Sequence, residues 1–173
     1  MYEEYFTEEH RILRESVRKF VEKEIKPHID RWEDEELFPA ELYKRCADEG
    51  FLGLRYPEAY GGTPCDRFMS IVFTEEMIRS GSVGLVAGLG SLTIGMPPVV
   101  HLGTEEQKRR FLAPVLKGEK IAALGITEPN AGSDVANIRT RAVRDGDHYI
   151  VNGAKTFITS GCRAHFITTA VRT

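Results

Sequence analysis

The residues best suited to bind a heteroatom-rich ligand lie in a polar loop that follows an apolar run. The run at 121–126 is typical of a buried strand, and it ends in a loop at 127–134 that contains Pro129 and Gly132. Its Thr, Asn, Ser and Asp side chains favour turns, and such a loop can direct several N–H groups and hydroxyls toward one point. Oriented amides of this kind suit anionic ligands such as phosphates. Taken alone, the loop is better explained as a plain strand connection whose Ser and Asp side chains satisfy their own turn.

A second candidate segment begins at the pair Asn152-Gly153. Asn-Gly is a strong signal of a two-residue hairpin, so residues 156–159 are expected to form the return strand. Alternation along that strand would place Phe157 and Thr159 on one face, where a ring and a hydroxyl can contact the same ligand. The alternative is that Phe157 belongs to the core and Thr159 only fills the strand.

Together these two segments resemble the flavin-binding part of the acyl-CoA dehydrogenase family. Residues 124–134 read LGITEPNAGSD and residues 152–161 read NGAKTFITSG, in the order and at the separation expected of the middle domain of that family. The stretches 57–62 and 103–108 are similar to segments of its N-terminal domain. The resemblance therefore extends from about residue 6 to residue 173.

The resemblance implies FAD as cofactor, held between the two segments. The residues implied to contact it are Leu124, Ile126, Thr127, Gly132, Ser133, Phe157, Ile158 and Thr159. Thr127 would hydrogen-bond the pyrimidine side of the ring, and Thr159 would reach toward N5. Phe157 stands where the family most often has Trp, so an aromatic wall is kept and an indole N–H is lost. Ser133 and Ser91 would contact the acyl-CoA substrate, with helix packing as the alternative for Ser91.

The reaction implied by the resemblance is α,β-dehydrogenation of an acyl-CoA thioester in fatty acid metabolism. A carboxylate removes the α-proton, the β-hydrogen passes as hydride to flavin N5, and an electron-transfer flavoprotein collects the electrons. The base of the family is a glutamate in a C-terminal helical domain, expected beyond Thr173, so the catalytic residue is left unassigned. Glu128 does not match it by position. Two alternatives remain: other flavin chemistry, as in an oxidase or a desulfinase, or a non-catalytic fragment.

Composition excludes several other classes. With 42% hydrophobic residues, 28% charged residues and a formal net charge of −3, the chain reads as an ordinary globular protein without a nucleic-acid surface built on positive charge. No apolar run approaches the length of a membrane span, and the first residues lack a secretory pattern. Cys46, Cys65 and Cys162 have neither metal-ligand nor disulfide spacing, which predicts no metal and a cytoplasmic protein with reduced thiols. The resemblance adds a homodimer or homotetramer.

Helical periodicity dominates the first two thirds of the chain. An apolar stripe formed by Leu13, Val17, Phe20, Val21 and Ile25 follows the candidate N-cap Thr7 and stops at Pro27. Residues 67–80 are apolar on most of a helical surface and are expected in an interior. Thr104 and Gln107 have the spacing of a capping box.

The period changes from helical to extended after residue 117. These patterns and the resemblance predict an α+β multidomain chain, with an all-α N-terminal domain over residues 1–117. Residues 118–173 are predicted to begin a flavin-binding middle domain, an antiparallel β-barrel whose strands follow one another as a meander. The C-terminal helical bundle of the family is absent from this chain.

Overall fold

A computed structural model describes residues 3–173, first as helices and then as two small sheets. The α-helices are α1 (Glu8–Phe20), α2 (Ile29–Asp34), α3 (Glu41–Asp48), α4 (Arg67–Ile78), α5 (Val83–Leu89), α6 (Leu92–Gly95), α7 (Pro97–Leu102), α8 (Glu105–Gln107) and α9 (Ala113–Leu116). Wider π-helical turns at Val21–Ile25 and Lys108–Leu112 extend α1 and join α8 to α9. The strands are β1 (Ala122–Gly125), β2 (Arg141–Asp145), β3 (His148–Asn152) and β4 (Phe166–Thr169).

Local signals place the starts of the helices well. Thr7 is the N-cap of α1, and its backbone N–H donates to Nδ1 of His10 at 3.0 Å. The other ring nitrogen of His10 lies 3.0 Å from Asp66, which caps α4 by accepting from Met69 N–H. Thr104 and Gln107 form the predicted capping box. The starts of α1, α4 and α8 therefore follow from side chains close in sequence.

One helix departs from its predicted burial. The apolar α4 buries Val72 and Met77, but Phe68, Ile71 and Ile78 are each about two fifths exposed. The expectation that this helix lies wholly in the interior was wrong. It packs mainly against α1, and the buried carboxylate of Glu76 takes part in that contact by accepting from Arg18.

The β-strands form two separate pairs. β1 and β4 are parallel, with Ala122 opposite Phe166, whereas β2 and β3 form an antiparallel hairpin with Arg141 opposite Asn152. The antiparallel pairing of consecutive strands that the meander predicts is thus confirmed for β2 and β3. The predicted meander beyond it is wrong, because β4 returns beside β1 in the parallel sense. The barrel itself stays a prediction.

The predicted return strand at 156–159 is also wrong, and so is the two-residue turn before it. Phe157 and Ser160 have φ angles of 54° and 62°, which an extended strand does not allow. Gly153 does not turn a hairpin; it lets the chain pass close to Thr140, where an added Cβ would lie 2.3 Å from the Thr140 hydroxyl oxygen. Residues 153–165 therefore form an irregular crossover between β3 and β4.

Helices and strands share one hydrophobic core. Ile121 and Ala122 belong to the same buried cluster as Val17, Leu42 and Leu89. The ring of Phe166, on β4, packs edge-on against that of Phe111 with centroids 5.3 Å apart, and the Thr168 hydroxyl donates to the Gly95 carbonyl at 2.7 Å. The helices consequently position β1 and β4. The last α-helix ends at Leu116 and β1 begins at Ala122, while the division at residues 117 and 118 stays a prediction.

Two further features concern the whole of residues 3–173, namely membrane-spanning helices and clusters of metal-binding side chains. Within that part of the chain, no single helix is long and apolar enough to cross a membrane, although Val83–Leu89 and Leu92–Leu102, bent by 40° where they meet, have the required length and apolar composition when taken together. No group of three or more His, Cys, Asp or Glu side chains in the same residues is arranged to hold a metal ion.

Candidate functional site

The polar loop after β1 is a compact turn followed by an exposed segment. Glu128 and Ala131 exchange backbone hydrogen bonds of 2.8 and 3.1 Å, which closes a turn over Pro129 and Asn130. Gly132 and Ser133 follow on the surface, and a short 3-10 helix at Val135–Asn137 ends the segment. An added Cβ at Gly132 would meet nothing within 4 Å, so the backbone there is open to a ligand. The loop has the form expected from its Pro, Asn and Gly residues.

The two segments singled out by sequence lie side by side. Thr156 N–H donates to the carbonyl of Thr127 at 2.9 Å. The ammonium of Lys155 donates to the carbonyl of Ile126 at 2.8 Å. The start of the crossover is therefore hydrogen-bonded directly to the residues that follow β1. As a result, the candidate loop lies next to the segment Phe157–Thr159.

A buried ion pair lies under this junction. Glu128 Oε1 is 2.8 Å from Lys155 Nζ, and the Glu128 carboxylate also accepts from the backbone N–H groups of Arg139, at 2.5 Å, and Thr140, at 2.9 Å. The Glu128 and Lys155 side chains are only 2% and 12% exposed. Burial by itself raises the pKa of Glu128, but the Lys155 ammonium and the two N–H groups outweigh it and lower that pKa to about 2. Glu128 is accordingly ionised near neutral pH, but its low pKa makes it a weak base and both of its oxygens already accept hydrogen bonds, so it is unsuitable as a general base.

Phe157 and Thr159 are presented to solvent by a bend rather than by a strand. The ring of Phe157 is 92% exposed. Thr159 stands between two cavities of about 350 and 360 Å³. One of these is largely apolar and is lined by α4, α5 and α6 through Phe73, Leu89 and Ile94. The strand alternation that grouped Phe157 with Thr159 is absent, so their common role stays a prediction.

The hydroxyl groups near the site fall into two sets. Those of Ser91, Ser160 and Thr168 all lie within hydrogen-bonding distance of main-chain carbonyls, at 2.9, 3.4 and 2.7 Å. Those of Thr127, Ser133 and Thr159, the three hydroxyls predicted to contact FAD, make no hydrogen bond to any residue between 3 and 173. Ser91 is buried, and its hydroxyl donates to the Ala122 carbonyl. Because this hydrogen bond occupies the hydroxyl, it favours a packing role over the predicted substrate contact.

The remaining predicted contacts are partly buried. Leu124, Ile126 and Thr127 run along the end of β1 into the loop, and Ile158 lies in the bend between Phe157 and Thr159. Their apolar side chains are thus available at a surface beside unpaired hydroxyls. That combination fits the two needs of an isoalloxazine ring, an apolar wall and hydrogen bonds to its polar edge.

Sequence reasoning missed the residues that hold the bend in place. Arg163 donates to the Phe38 carbonyl at 3.0 Å, and its guanidinium lies over the rings of Phe38 and Tyr43. The Tyr43 hydroxyl donates to the Gly88 carbonyl at 2.8 Å and lies 3.5 Å from the Ser160 hydroxyl, and burial raises the pKa of Tyr43. These contacts join positions 45 to 125 residues apart, and no local pattern signals them. Lys155 was also missed, although a lysine two positions before Phe157 in an uncharged stretch was a usable signal.

Comparison with known proteins matches the chain to one family. The model of the acyl-CoA dehydrogenase N-terminal domain matches residues 7–119, and that of the acyl-CoA dehydrogenase middle domain matches residues 123–173. The chain belongs to the acyl-CoA dehydrogenase family. The resemblance seen in the two sequence segments is thereby confirmed, together with a helical region followed by the start of a sheet domain.

Individual relatives agree with this membership. The chain is 41% identical over 156 residues to the 3-(aryl)acrylate reductase of Clostridium sporogenes, which covers 90% of this chain and 41% of that protein. A crystal structure of a probable acyl CoA dehydrogenase from Mycobacterium abscessus superposes with a TM-score of 0.93 at 47% identity, covering 97% of this chain and 45% of the other. A glutaryl-CoA dehydrogenase from Mycobacterium smegmatis in complex with FADH2 has a TM-score of 0.87 at 30% identity, covering 96% and 43%. The chain spans less than half the length of each.

Proposed function

We propose that this chain supplies part of the flavin site of an FAD-dependent acyl-CoA dehydrogenase. The observation that carries the proposal is the junction at Thr127 and Thr156, because it places a hydroxyl-bearing loop beside an exposed aromatic ring and a second hydroxyl. The unpaired hydroxyls of Thr127, Ser133 and Thr159 support the assignment, since each is a hydrogen-bonding group without a protein partner among residues 3–173. The relative in complex with FADH2 supports the choice of cofactor.

Each residue has a defined part in this proposal. Leu124, Ile126 and Ile158 supply apolar contact to the ring, and Phe157 covers one wall. Thr127 would donate to the pyrimidine side of a bound flavin, and Thr159 would reach toward its N5. Gly132 allows the backbone to approach the cofactor, and Ser133 contacts both FAD and the acyl-CoA. FAD, when bound, accepts the hydride that leaves the β-carbon of the thioester.

The general base is not among the residues of this site. Glu128 is the one carboxylate in the flavin loop itself that is buried at the junction, and its bonds to Lys155, Arg139 and Thr140 leave it no proton-accepting role. We propose that a glutamate elsewhere in the protein removes the α-proton. We also propose an electron-transfer flavoprotein as electron acceptor, a dimeric or tetrameric assembly and a cytoplasmic location.

The direction of the reaction is a separate point. Removal of two hydrogens from a thioester and their addition to its double bond pass through the same transition state, and one relative is by name a reductase. We propose dehydrogenation, in keeping with the acyl-CoA dehydrogenases of known structure. An oxidase is the competing assignment within the same site, because it differs only in the reaction of reduced flavin with oxygen.

The test is a spectroscopic titration of the intact protein. Purified protein is expected to be yellow and to release FAD on denaturation. Anaerobic addition of acyl-CoA thioesters of graded length should bleach the flavin and form the enoyl-CoA, and an acceptor flavoprotein should restore the colour more rapidly than oxygen does. Protein that is colourless and binds no added FAD would exclude the proposal, and rapid reoxidation by oxygen would favour the oxidase.

A further inference from the structure

We infer that Lys155 and Glu128 are positioning residues that set the separation between the two halves of the flavin site. The inference rests on the proposed function, since it concerns the placement of residues proposed to contact FAD. Neither residue contacts the cofactor in this proposal. Their part is to hold Thr127 and Thr159 where both hydroxyls can reach one ring.

The geometry of Lys155 is that of a clamp between two segments. Its ammonium donates to the Ile126 carbonyl and to Glu128, both at 2.8 Å, and the next residue donates its N–H to Thr127. The three hydrogen bonds tie residues 155 and 156 to three consecutive residues of the loop. Because Phe157 follows at once, the clamp fixes where the bend begins.

Glu128 connects these two segments to a third one. Its carboxylate accepts from the N–H groups of Arg139 and Thr140, just before β2. Thr140 in turn lies directly against Gly153, where an added Cβ would be 2.3 Å from its hydroxyl oxygen. Loop, hairpin and crossover therefore meet at one buried carboxylate, and a shift of any one of them disturbs the others.

The bend that follows is strained and needs such an anchor. Phe157 and Ser160 both adopt the left-handed region, at φ angles of 54° and 62°, which is unfavourable for residues other than glycine. Anchors stand at both ends: Lys155 before the bend, and Arg163, held to Phe38, after it. A strained segment persists only when its surroundings determine it.

The experiment compares single variants of the intact protein, each prepared with and without FAD. Lys155→Met keeps the length of the side chain and removes its charge, Lys155→Arg restores a cation, and Glu128→Gln keeps an acceptor but removes the charge. Lys26→Met is the matched control, because Lys26 forms an exposed ion pair with Glu22 at 2.6 Å, away from the loop. The readouts are the FAD dissociation constant, the visible circular dichroism of bound flavin and the exchange rate of the Thr156 amide.

If Lys155 and Glu128 hold the segments together, the variants should differ in the size of their effects. Lys155→Met should raise the FAD dissociation constant by about tenfold or more, alter the flavin spectrum and speed Thr156 exchange in both forms, whereas Lys26→Met should change none of these. Lys155→Arg and Glu128→Gln should fall between. Unchanged FAD affinity, spectrum and exchange in Lys155→Met would overturn the inference. An equal loss of thermal stability with and without FAD, at unchanged affinity, would overturn it too, because it would show a purely structural pair.

Two controls keep the outcome decisive. If Lys155→Met does not fold, the milder Lys155→Arg and Glu128→Gln decide, and wild-type affinity with wild-type exchange in both would reject the clamp. Failure of the wild type to bind FAD would refute the proposed function alone, because Thr156 exchange in the absence of FAD still tests whether Lys155 holds the two segments together.

Discussion

Glu76 and Glu128 are both buried glutamates with cationic partners, yet they organise different regions. Glu76, on α4, accepts two hydrogen bonds of 2.9 Å from Arg18 and one of 3.0 Å from Arg14, both on α1. Arg18 first of all lowers the pKa of Glu76, against an opposing effect of burial. Glu128 instead binds one lysine and two backbone N–H groups, and it connects three irregular segments. The first carboxylate joins regular helices, whereas the second shapes a site.

The difference indicates where each pair has its effect. A buried ion pair contributes little net stability compared with apolar side chains of the same volume, but removing one partner is costly. Around Glu76 the cost falls on helix packing, since its hydrogen bonds to Arg14 and Arg18 join α4 to α1. Around Glu128 it falls on the arrangement of the loop and the bend. We therefore expect variants in the two regions to separate stability from cofactor binding.

The largest expected effect on stability is that of Glu76→Ala. The change removes three hydrogen bonds to a charged group and leaves a gap between α1 and α4, so the free energy of unfolding should fall by about 1.5–3 kcal/mol. The FAD dissociation constant of the folded protein should stay unchanged. Chemical denaturation of the variant beside the wild type measures the first quantity, and a flavin titration measures the second. Weakened FAD binding at full stability would contradict the comparison.

Phe157→Ala should show the opposite behaviour. Its ring is 92% exposed, so unfolding of the FAD-free protein should hardly change. FAD binding should weaken by about 1.5–3 kcal/mol, the value of covering a large apolar side chain. Melting temperatures with and without FAD separate the two effects. A loss of equal size in both forms would show instead that Phe157 is a core residue.

Thr159→Val should have a smaller effect on the same property. It removes one hydroxyl and keeps the shape, so FAD affinity should fall by about 0.5–1.5 kcal/mol, with more lost if a flavin heteroatom is left buried and unpaired. Ser133→Ala is expected to fall in the same range, for FAD or for acyl-CoA. Isothermal titration with each ligand distinguishes them. Wild-type affinity in both variants, and in Phe157→Ala, would refute the residue assignments.

The smallest expected effect is the contribution of Glu128 to the pH dependence of FAD retention. Because the folded state holds the pKa of Glu128 at about 2, below its ordinary value of 4.5, Glu128 stabilises the fold above that ordinary value. The contribution declines as the pH falls from about 4.5 toward 2. FAD retention should thus be flat around neutral pH and decline in acid, and Glu128→Gln should lose the part of the decline that Glu128 causes. An unchanged profile in Glu128→Gln would assign the acid sensitivity to other groups, such as Asp66, whose pKa His10 lowers.

Prediction from sequence succeeded where the determining contacts are local. Thr7 and Thr104 begin helices through residues three positions away, and Arg141–Asp145 pairs with His148–Asn152 across a short turn. The two segments proposed to hold the flavin could be recognised as those of the family because their residue types are arranged in a specific order. Ser91 shows the limit: a small polar residue in a helical stretch fits a pocket or a packing contact, and only its hydrogen bond to Ala122 favours one.

The sequence by itself therefore determined the family, the helical character of the first part and the two segments that we propose hold the flavin. Only the tertiary structure decided the parallel pairing of β1 with β4, the left-handed bend at Phe157 and the hydrogen bonds by which Glu128 connects three segments. The physical reason is that an Asn-Gly pair and an alternating stretch favour a hairpin locally, and here distant contacts override that preference. The hydrogen bonds from Lys155 to the Ile126 carbonyl and from Arg163 to the Phe38 carbonyl hold the crossover in a conformation that its own residues do not favour.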